Sequence, residues 1–179
     1  MGARHGVLEF VRLRKSMPAK KSATPFVVTD ALVAAYATNN RINVFLVQNL
    51  PDEAWNAKAP DGKGREIASI VGHIHNVRVM WLKASGAAEL PAKLEPGTFT
   101  KEQAIDALEQ SAAALDTTLR ASLSGTGAIK GFKPDAASFF GYLVAHDAHH
   151  RGQIAMLARQ AGYPISQSAL FGLWEWGTR

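Results

Sequence analysis

Hydrophobic residues recur at intervals of three and four along four stretches of the chain, a spacing typical of amphipathic helices. The second stretch shows it best: Ile67, Ile70, Ile74, Val77 and Trp81 are separated by 3, 4, 3 and 4 residues. No segment alternates with a period of two over β-branched residues, so the pattern indicates no sheet. We predict helices over about 29–49, 66–85, 100–123 and 134–161.

Residues at the ends of these stretches support the boundaries. Thr29 or Asp30 is a candidate N-cap for the first helix, and Thr100 with Gln103 fits a capping box for the third. Pro134 suits the first turn of the fourth helix, and Gly162 its C-cap. A loop with prolines and glycines, residues 51–65, separates the first two helices. The pattern therefore predicts an all-α fold, a four-helix bundle.

Two histidines lie on the predicted inward face of the fourth helix, where an unbroken apolar face would be expected. Residues at i and i+4 share a helix face, so the imidazoles of His146 and His150 can point at one metal ion. His146 with His149 is sterically allowed, but His149 lies off this face. The face consists of Phe139, Leu143, His146, His150, Gln153 and Leu157.

The second helix offers two candidates for a third ligand, His73 and His75. At ~100° per residue, His73 lies ~80° from the centre of the apolar face and His75 ~120° away on the other side. This geometry modestly favours His73; His75 stays its rival and is expected at the surface or an interface. The same histidines could instead form a structural polar network, since unpaired polar groups in a core are costly.

Three neutral imidazoles with an open fourth position are typical of a catalytic metal site. Nitrogen ligands suit nickel or zinc, with iron(II) as a further option. The chain has no cysteine, which excludes disulfides, thiolate catalysis and cysteine-type zinc sites.

The net charge of +5 resides in the first 22 residues, and the remainder carries equal numbers of basic and acidic residues. We therefore expect a basic leader over 1–25, a single domain over 26–179 and no nucleic-acid partner. Met17 is an alternative start. No run approaches the ~18 apolar residues of a membrane span, so we expect no membrane partner and a cytoplasmic protein. The six basic residues of the leader are Arg4, Arg12, Arg14, Lys15, Lys20 and Lys21.

The segment from His73 to Leu82, followed by His146-Asp-Ala-His-His150-Arg-Gly-Gln153, resembles the DinB-like family of four-helix-bundle proteins. The resemblance covers roughly residues 30–176. It implies a metal triad of His73, His146 and His150, and a homodimer with nickel or zinc bound. The family is similar to metal-dependent thiol S-transferases that use mycothiol or bacillithiol, which implies a small-molecule substrate and a low-molecular-weight thiol.

Three residues near the histidines are candidates for catalysis. Gln153 can orient a ligand, whereas Arg151 points off the inward face and is expected in a surface or dimer ion pair. Asp147 makes the run His-Asp-x-x-His, close to the zincin motif, in which the carboxylate is the general base.

Two further expectations concern the class of protein and its aromatic residues. The alternative to a thiol S-transferase-like enzyme or hydrolase is a metal-stabilised, non-enzymatic binding domain. The aromatic residues are expected in the core or at a dimer contact, although Trp174-Glu175-Trp176 has no role derivable from sequence. They are Trp81, Phe139, Phe140, Phe171, Trp174 and Trp176.

Overall fold

Four long helices form more than half of the chain that the computed structural model describes, residues 25–179. A short 3-10 helix, Asp52–Ala54, lies in the loop after the first of them. Residues 25–179 contain no named β-strand, so the predicted all-α fold is confirmed. The predicted leader and Met17 lie outside the described residues, except for residue 25. The α-helices are α1 (Val28–Gln48), α2 (Ile67–Ser85), α3 (Lys101–Ser124), α4 (Ala136–Gln160) and α5 (Gln167–Gly172).

The residues that cap the helices match the predicted ones in part. The capping box is present, since the Thr100 side chain accepts from the Gln103 backbone and the Gln103 side chain accepts from Thr100 N–H. The cap predicted for α1 is wrong: its N-cap is Val27, which has no side-chain oxygen, and Asp30 instead pairs with Arg120.

The start and end of α4 also differ slightly from the prediction. Asp135, not Pro134, caps the helix, because its carboxylate accepts the backbone N–H of Ser138 at 2.7 Å. The C-cap is Ala161, and Gly162 follows it with a φ of 87°, the left-handed conformation that glycine adopts without steric cost.

The four long helices form a ring in the order α1, α3, α2, α4. Helices α1 and α2 each pack against both α3 and α4 and lie diagonally opposite each other. The loop between α1 and α2 must therefore cross the end of the bundle, which explains its length. In residues 25–179 no helix has both the length and the apolar character needed to cross a bilayer.

Two apolar clusters fill the bundle, one toward each end. One centres on Leu46, Ile67, Ile70, Leu108 and Ile154. The other centres on Val33, Leu82, Leu115, Phe139 and Leu143. A layer of buried polar residues lies between them at mid-height: Asn39, Asn40 and Asn43 from α1, His75 and Arg78 from α2, Ser111 from α3, and Asp147 and His150 from α4.

A fully buried ion pair lies at the centre of this polar layer. Arg78 donates to Oδ2 of Asp147 at 2.7 Å, and both side chains are 1% exposed. The same oxygen accepts from the amides of Asn39 at 2.6 Å and Asn43 at 2.9 Å. Burial alone would raise the pKa of Asp147, but the charge of Arg78 and these hydrogen bonds lower it to about 2. The carboxylate is therefore ionised at neutral pH.

The other terminal nitrogen of the Arg78 guanidinium extends the network to α1 and α3. Its Nη1 donates to Asn40 Oδ1 at 2.7 Å and to the carbonyl of Leu108 at 3.1 Å. Residues from α1, α2, α3 and α4 are thus joined through one guanidinium and one carboxylate.

This network corrects the predicted inward faces of two helices. On α4 the buried line runs through Phe139, Leu143, Asp147, His150 and Ile154, so Asp147 occupies the centre and His146 lies at its edge. On α2 the buried line passes through Arg78, and Val77 and Trp81 are only partly buried. The apolar residues allowed either rotation of each helix, and the ion pair selects the observed one.

The aromatic residues divide into two groups. Trp81 makes edge contacts with Phe132, Phe139 and Tyr142 at centroid distances of 5.4, 5.8 and 5.6 Å, as expected for core residues. Phe171 and Trp174 are 64% and 81% exposed, so of the two expected locations, the core or a dimer contact, they do not occupy the core.

We predict that Asp147→Asn destabilises the fold by about 3–5 kcal/mol, because it leaves the buried charge of Arg78 without a partner. Urea unfolding at pH 7 measures this change. The control is Asp116→Asn, which removes a partly exposed carboxylate 3.7 Å from Arg120 and should change stability by less than about 1 kcal/mol. Equal effects of the two substitutions would contradict a central role for the ion pair.

Candidate metal centre

Three histidines from two helices meet at the edge of the polar layer, to which His150 belongs. His73 comes from α2, and His146 and His150 come from α4. One nitrogen from each ring can be chosen so that all three lie within 4.8 Å of one another. His150 is buried, and the other two are half-buried. The structure thus brings together the three residues that the sequence singled out.

The rotation of α4 explains why both of its histidines face the same way. With Asp147 at the centre of the inward face, His146 lies ~100° and His150 ~60° to the same side of it. That side faces the neighbouring helix α2, from which His73 approaches; the rings of His73 and His150 are 4.9 Å apart. Gln153 lies on the same side, ~120° from Asp147.

The two histidines of α4 are arranged as metal ligands would be. Their Nε2 atoms are 3.2 Å apart. Two nitrogens bound to one tetrahedral zinc ion at ~2.0–2.1 Å would be ~3.3 Å apart. The Nδ1 of His150 donates to Oε1 of Gln153 at 2.7 Å. In this tautomer Nε2 of His150 carries no proton, and its lone pair is available on the side where His146 lies. A cation between the two nitrogens would satisfy both, so the residues fit a metal ion.

The surroundings keep two of the rings neutral. Burial lowers the pKa of His73 to about 4, and repulsion from Arg65, His150 and His146 adds to this effect. Burial also lowers the pKa of His150, against the opposing effect of its hydrogen bond to Gln153. Both rings are therefore neutral at pH 7, the state in which imidazole binds a metal.

His146 is held by its neighbours on α4. Its ring stacks on that of Tyr142 at a centroid distance of 5.9 Å. Its Nδ1 lies 3.8 Å from Oδ1 of Asp147, too far for a direct hydrogen bond. That Oδ1 has no hydrogen-bond partner among residues 25–179, although it is buried.

His75 does not join the cluster, and its expected position at a surface or interface is wrong. It is fully buried, with Nδ1 2.8 Å from the carbonyl of Ala107 and Nε2 2.8 Å from that of Ala92. The segment between α2 and α3 covers this side of α2, which periodicity within α2 alone could not reveal. Both ring nitrogens are engaged, so the geometry favours His73 as the third ligand.

Arg151 also lies elsewhere than expected. It is half-buried, and its Nη1 donates to the side-chain oxygens of Asn39 at 2.9 Å and Asn43 at 2.6 Å. Because it lies ~40° from Asp147 on the side away from the histidines, it faces α1. It therefore holds the asparagines that hold Asp147, instead of forming a surface ion pair.

Asp147 is placed poorly for the zincin-like role. Three donors occupy its Oδ2, and the side chain is 1% exposed. A general base must reach the proton that it removes. The contacts of Asp147 instead suit a residue that positions α4.

A cleft of about 510 Å³ opens beside His73. Its lining includes the polar side chains of Lys58, Arg65 and Ser69 and the apolar side chains of Leu94 and Phe99. Gly72 permits the close approach of Phe99, since a Cβ there would lie 2.8 Å from the Phe99 ring. The metal centre therefore borders a space large enough for a small molecule.

Sequence reasoning missed the asparagines of α1 and Arg78 as partners of the site. A signal was present: Asn39, Asn40 and Asn43 interrupt the apolar residues of α1, and Arg78 lies one turn from Ile74 on α2. Arg65 gave no comparable signal, because it lies in a loop without periodicity.

We predict that Gln153→Ala weakens metal binding by about 10–100-fold, because His150 loses the acceptor that fixes its ring. Isothermal titration calorimetry of the apoprotein with the metal ion measures the affinity for the metal. Gln153→Glu, which keeps an acceptor, should retain most of it. The matched control is Gln160→Ala, at an exposed position of the same helix. Loss in Gln160→Ala as large as in Gln153→Ala would contradict the positioning role.

Comparison with known proteins agrees with this architecture. No curated protein matches the chain. A model of the DinB family matches residues 21–174, which include α1 to α4 and all three clustered histidines. The match confirms the resemblance noted from the histidine-containing segments. The chain belongs to the DinB family.

Proposed function

We propose that this protein holds one divalent metal ion through His73, His146 and His150 and uses it in a reaction on a small molecule. Nickel or zinc suits three neutral imidazoles best, with iron(II) as a further option. The observation that carries the proposal is the distance of 3.2 Å between the Nε2 atoms of His146 and His150. The hydrogen bond to Gln153 also fixes the tautomer of the His150 ring.

The reaction class proposed is thiol S-transfer or hydrolysis. Three protein ligands leave an open position on the ion, and His73 lines the cleft of about 510 Å³ from which a substrate can approach. When bound, the metal supplies Lewis acidity, which lowers the pKa of a thiol or water held beside it.

The protein residues orient the ligands and shape the approach. Gln153 holds the ring of His150 through its Nδ1–H, and Tyr142 supports the ring of His146. Phe99 and Leu94 contribute apolar surface to the lining of the cleft. Asn76 fixes Leu94, because its side-chain amide exchanges two hydrogen bonds with the backbone of Leu94, at 2.8 and 2.9 Å.

The rival function is a metal-stabilised binding domain without catalysis. In such a domain the metal contributes to folding. Here the network around Arg78 and Asp147 already joins α1, α2, α3 and α4 without using the three histidines. A site that is not needed to hold the helices together, and that borders a cleft, favours a chemical role.

Turnover distinguishes the two functions. The purified protein, loaded with nickel or zinc, is assayed with a panel of low-molecular-weight thiols and electrophiles and with a panel of activated esters. We expect a metal-dependent rate that falls by at least about 100-fold in His150→Ala, because the loss of a ligand removes several kcal/mol of transition-state stabilisation.

The control for this experiment is His149→Ala, which alters an exposed histidine outside the cluster and should retain the rate. Bound metal without turnover of any thiol or ester would favour the binding domain. A rate unchanged in His150→Ala would contradict the proposed site.

A homodimer is also part of the proposal. The exposed aromatic side chains of Phe171 and Trp174 support it, since large exposed apolar groups often lie at protein contacts. Sedimentation velocity should give the mass of two chains, and Trp174→Ser should shift it toward one. The mass of a single chain across the micromolar range would contradict the dimer.

A further inference from the structure

Arg65 lies in the loop before α2, at the boundary between two clefts. It lines the cleft of about 510 Å³ that contains His73. It also lines a second cleft of about 400 Å³ that contains Gln153, the residue bonded to His150. Only Gly64 and Arg65 are common to the two linings. Arg65 therefore borders both the cleft beside His73 and the cleft beside Gln153.

The guanidinium of Arg65 has no partner within the part of the chain that the structure describes. Among residues 25–179 it donates no hydrogen bond and has no carboxylate within 4 Å, although it is exposed. The neighbouring cation in the same cleft, Lys58, is 3.2 Å from the carboxylate of Glu66. Arg78 and Arg120, by contrast, each have a carboxylate partner. Arg65 thus keeps its full set of donors for a ligand.

The charges around the histidines favour an anion. The three proposed ligands are uncharged, so a divalent ion would retain its charge of +2. Within residues 25–179, the carboxylate of Asp147 beside His146 is paired with Arg78, and that of Glu66, which lines the cleft, is paired with Lys58. Arg65 lines the same cleft as His73. A small anion entering this cleft meets positive charge from two directions.

We propose that Arg65 binds the carboxylate of a small anionic substrate whose thiol occupies the open position at the metal. The guanidinium presents parallel N–H donors that match a carboxylate in a bidentate pair. This inference rests on the proposed function and specifies its substrate class as low-molecular-weight thiols that carry a carboxylate.

The test compares two thiols that differ only in that group, 3-mercaptopropionate and 3-mercaptopropan-1-ol. Their dissociation constants are measured on the nickel-loaded protein at pH 7 from the thiolate-to-nickel absorption band. We expect the carboxylate to bind about tenfold more tightly, the scale of a charge-assisted pair. Any chelation of nickel by the carboxylate itself persists without Arg65, so only the part lost on substitution belongs to this residue.

Arg65→Ala should abolish the Arg65-dependent part of the preference while leaving the affinity for 3-mercaptopropan-1-ol unchanged. Arg65→Lys should keep part of it, since the charge remains and the paired donors do not. The matched control is Lys63→Ala, which removes a positive charge two residues away in the same loop and should leave the preference intact.

Three results would overturn the inference, and each has a different meaning. If both thiols bind and the preference is the same in Arg65→Ala as in the unaltered protein, Arg65 does not bind the carboxylate, and the proposed function stands. If neither thiol produces the absorption band, the proposed thiol chemistry fails and the inference fails with it. Equal losses in Lys63→Ala and Arg65→Ala would show a general effect of charge and overturn the specific pair.

Discussion

The buried ion pair between Arg78 and Asp147 is the interaction on which the rest of the structure depends. A carboxylate and a guanidinium at mid-height of a bundle are costly to bury, and the cost is offset only when the two charges pair and accept or donate further hydrogen bonds. Oδ2 of Asp147 accepts three such bonds within the layer. The pair therefore determines how α2 and α4 are rotated about their own axes, because any other rotation would leave one charge unpaired in the core.

The metal centre follows from this rotation. Once Asp147 faces the core, His146, His150 and Gln153 all lie on the side of α4 that faces α2, and Arg151 lies on the side that faces α1. One residue thus separates the two roles of the helix: one flank supplies ligands and their support, and the other flank holds the asparagines that bind Asp147. Except for His150, which belongs to both, the residues of the polar layer support the site without entering it. This division is consistent with a metal ion that serves chemistry more than folding.

The sequence was sufficient to predict the four helices, their approximate bounds and the histidine pair of α4. Those features depend on local periodicity and on the i, i+4 spacing, which one helix defines by itself. The rotation of each helix was not predictable in the same way, because α4 has apolar residues on more than one face and the choice depends on Arg78, 69 residues away. The burial of His75 depends on the carbonyls of Ala92 and Ala107, and the role of Arg65 depends on where a loop lies. Contacts distant in sequence decided each of these positions.

The most direct test of the account is X-ray absorption spectroscopy of the metal-loaded protein. The account predicts three imidazole nitrogens in the first shell at about 2.0–2.1 Å for zinc. The same measurement on His73→Ala should show one imidazole fewer, whereas His149→Ala should show all three. A first shell without imidazole, or one unchanged by His73→Ala, would contradict the three-histidine centre.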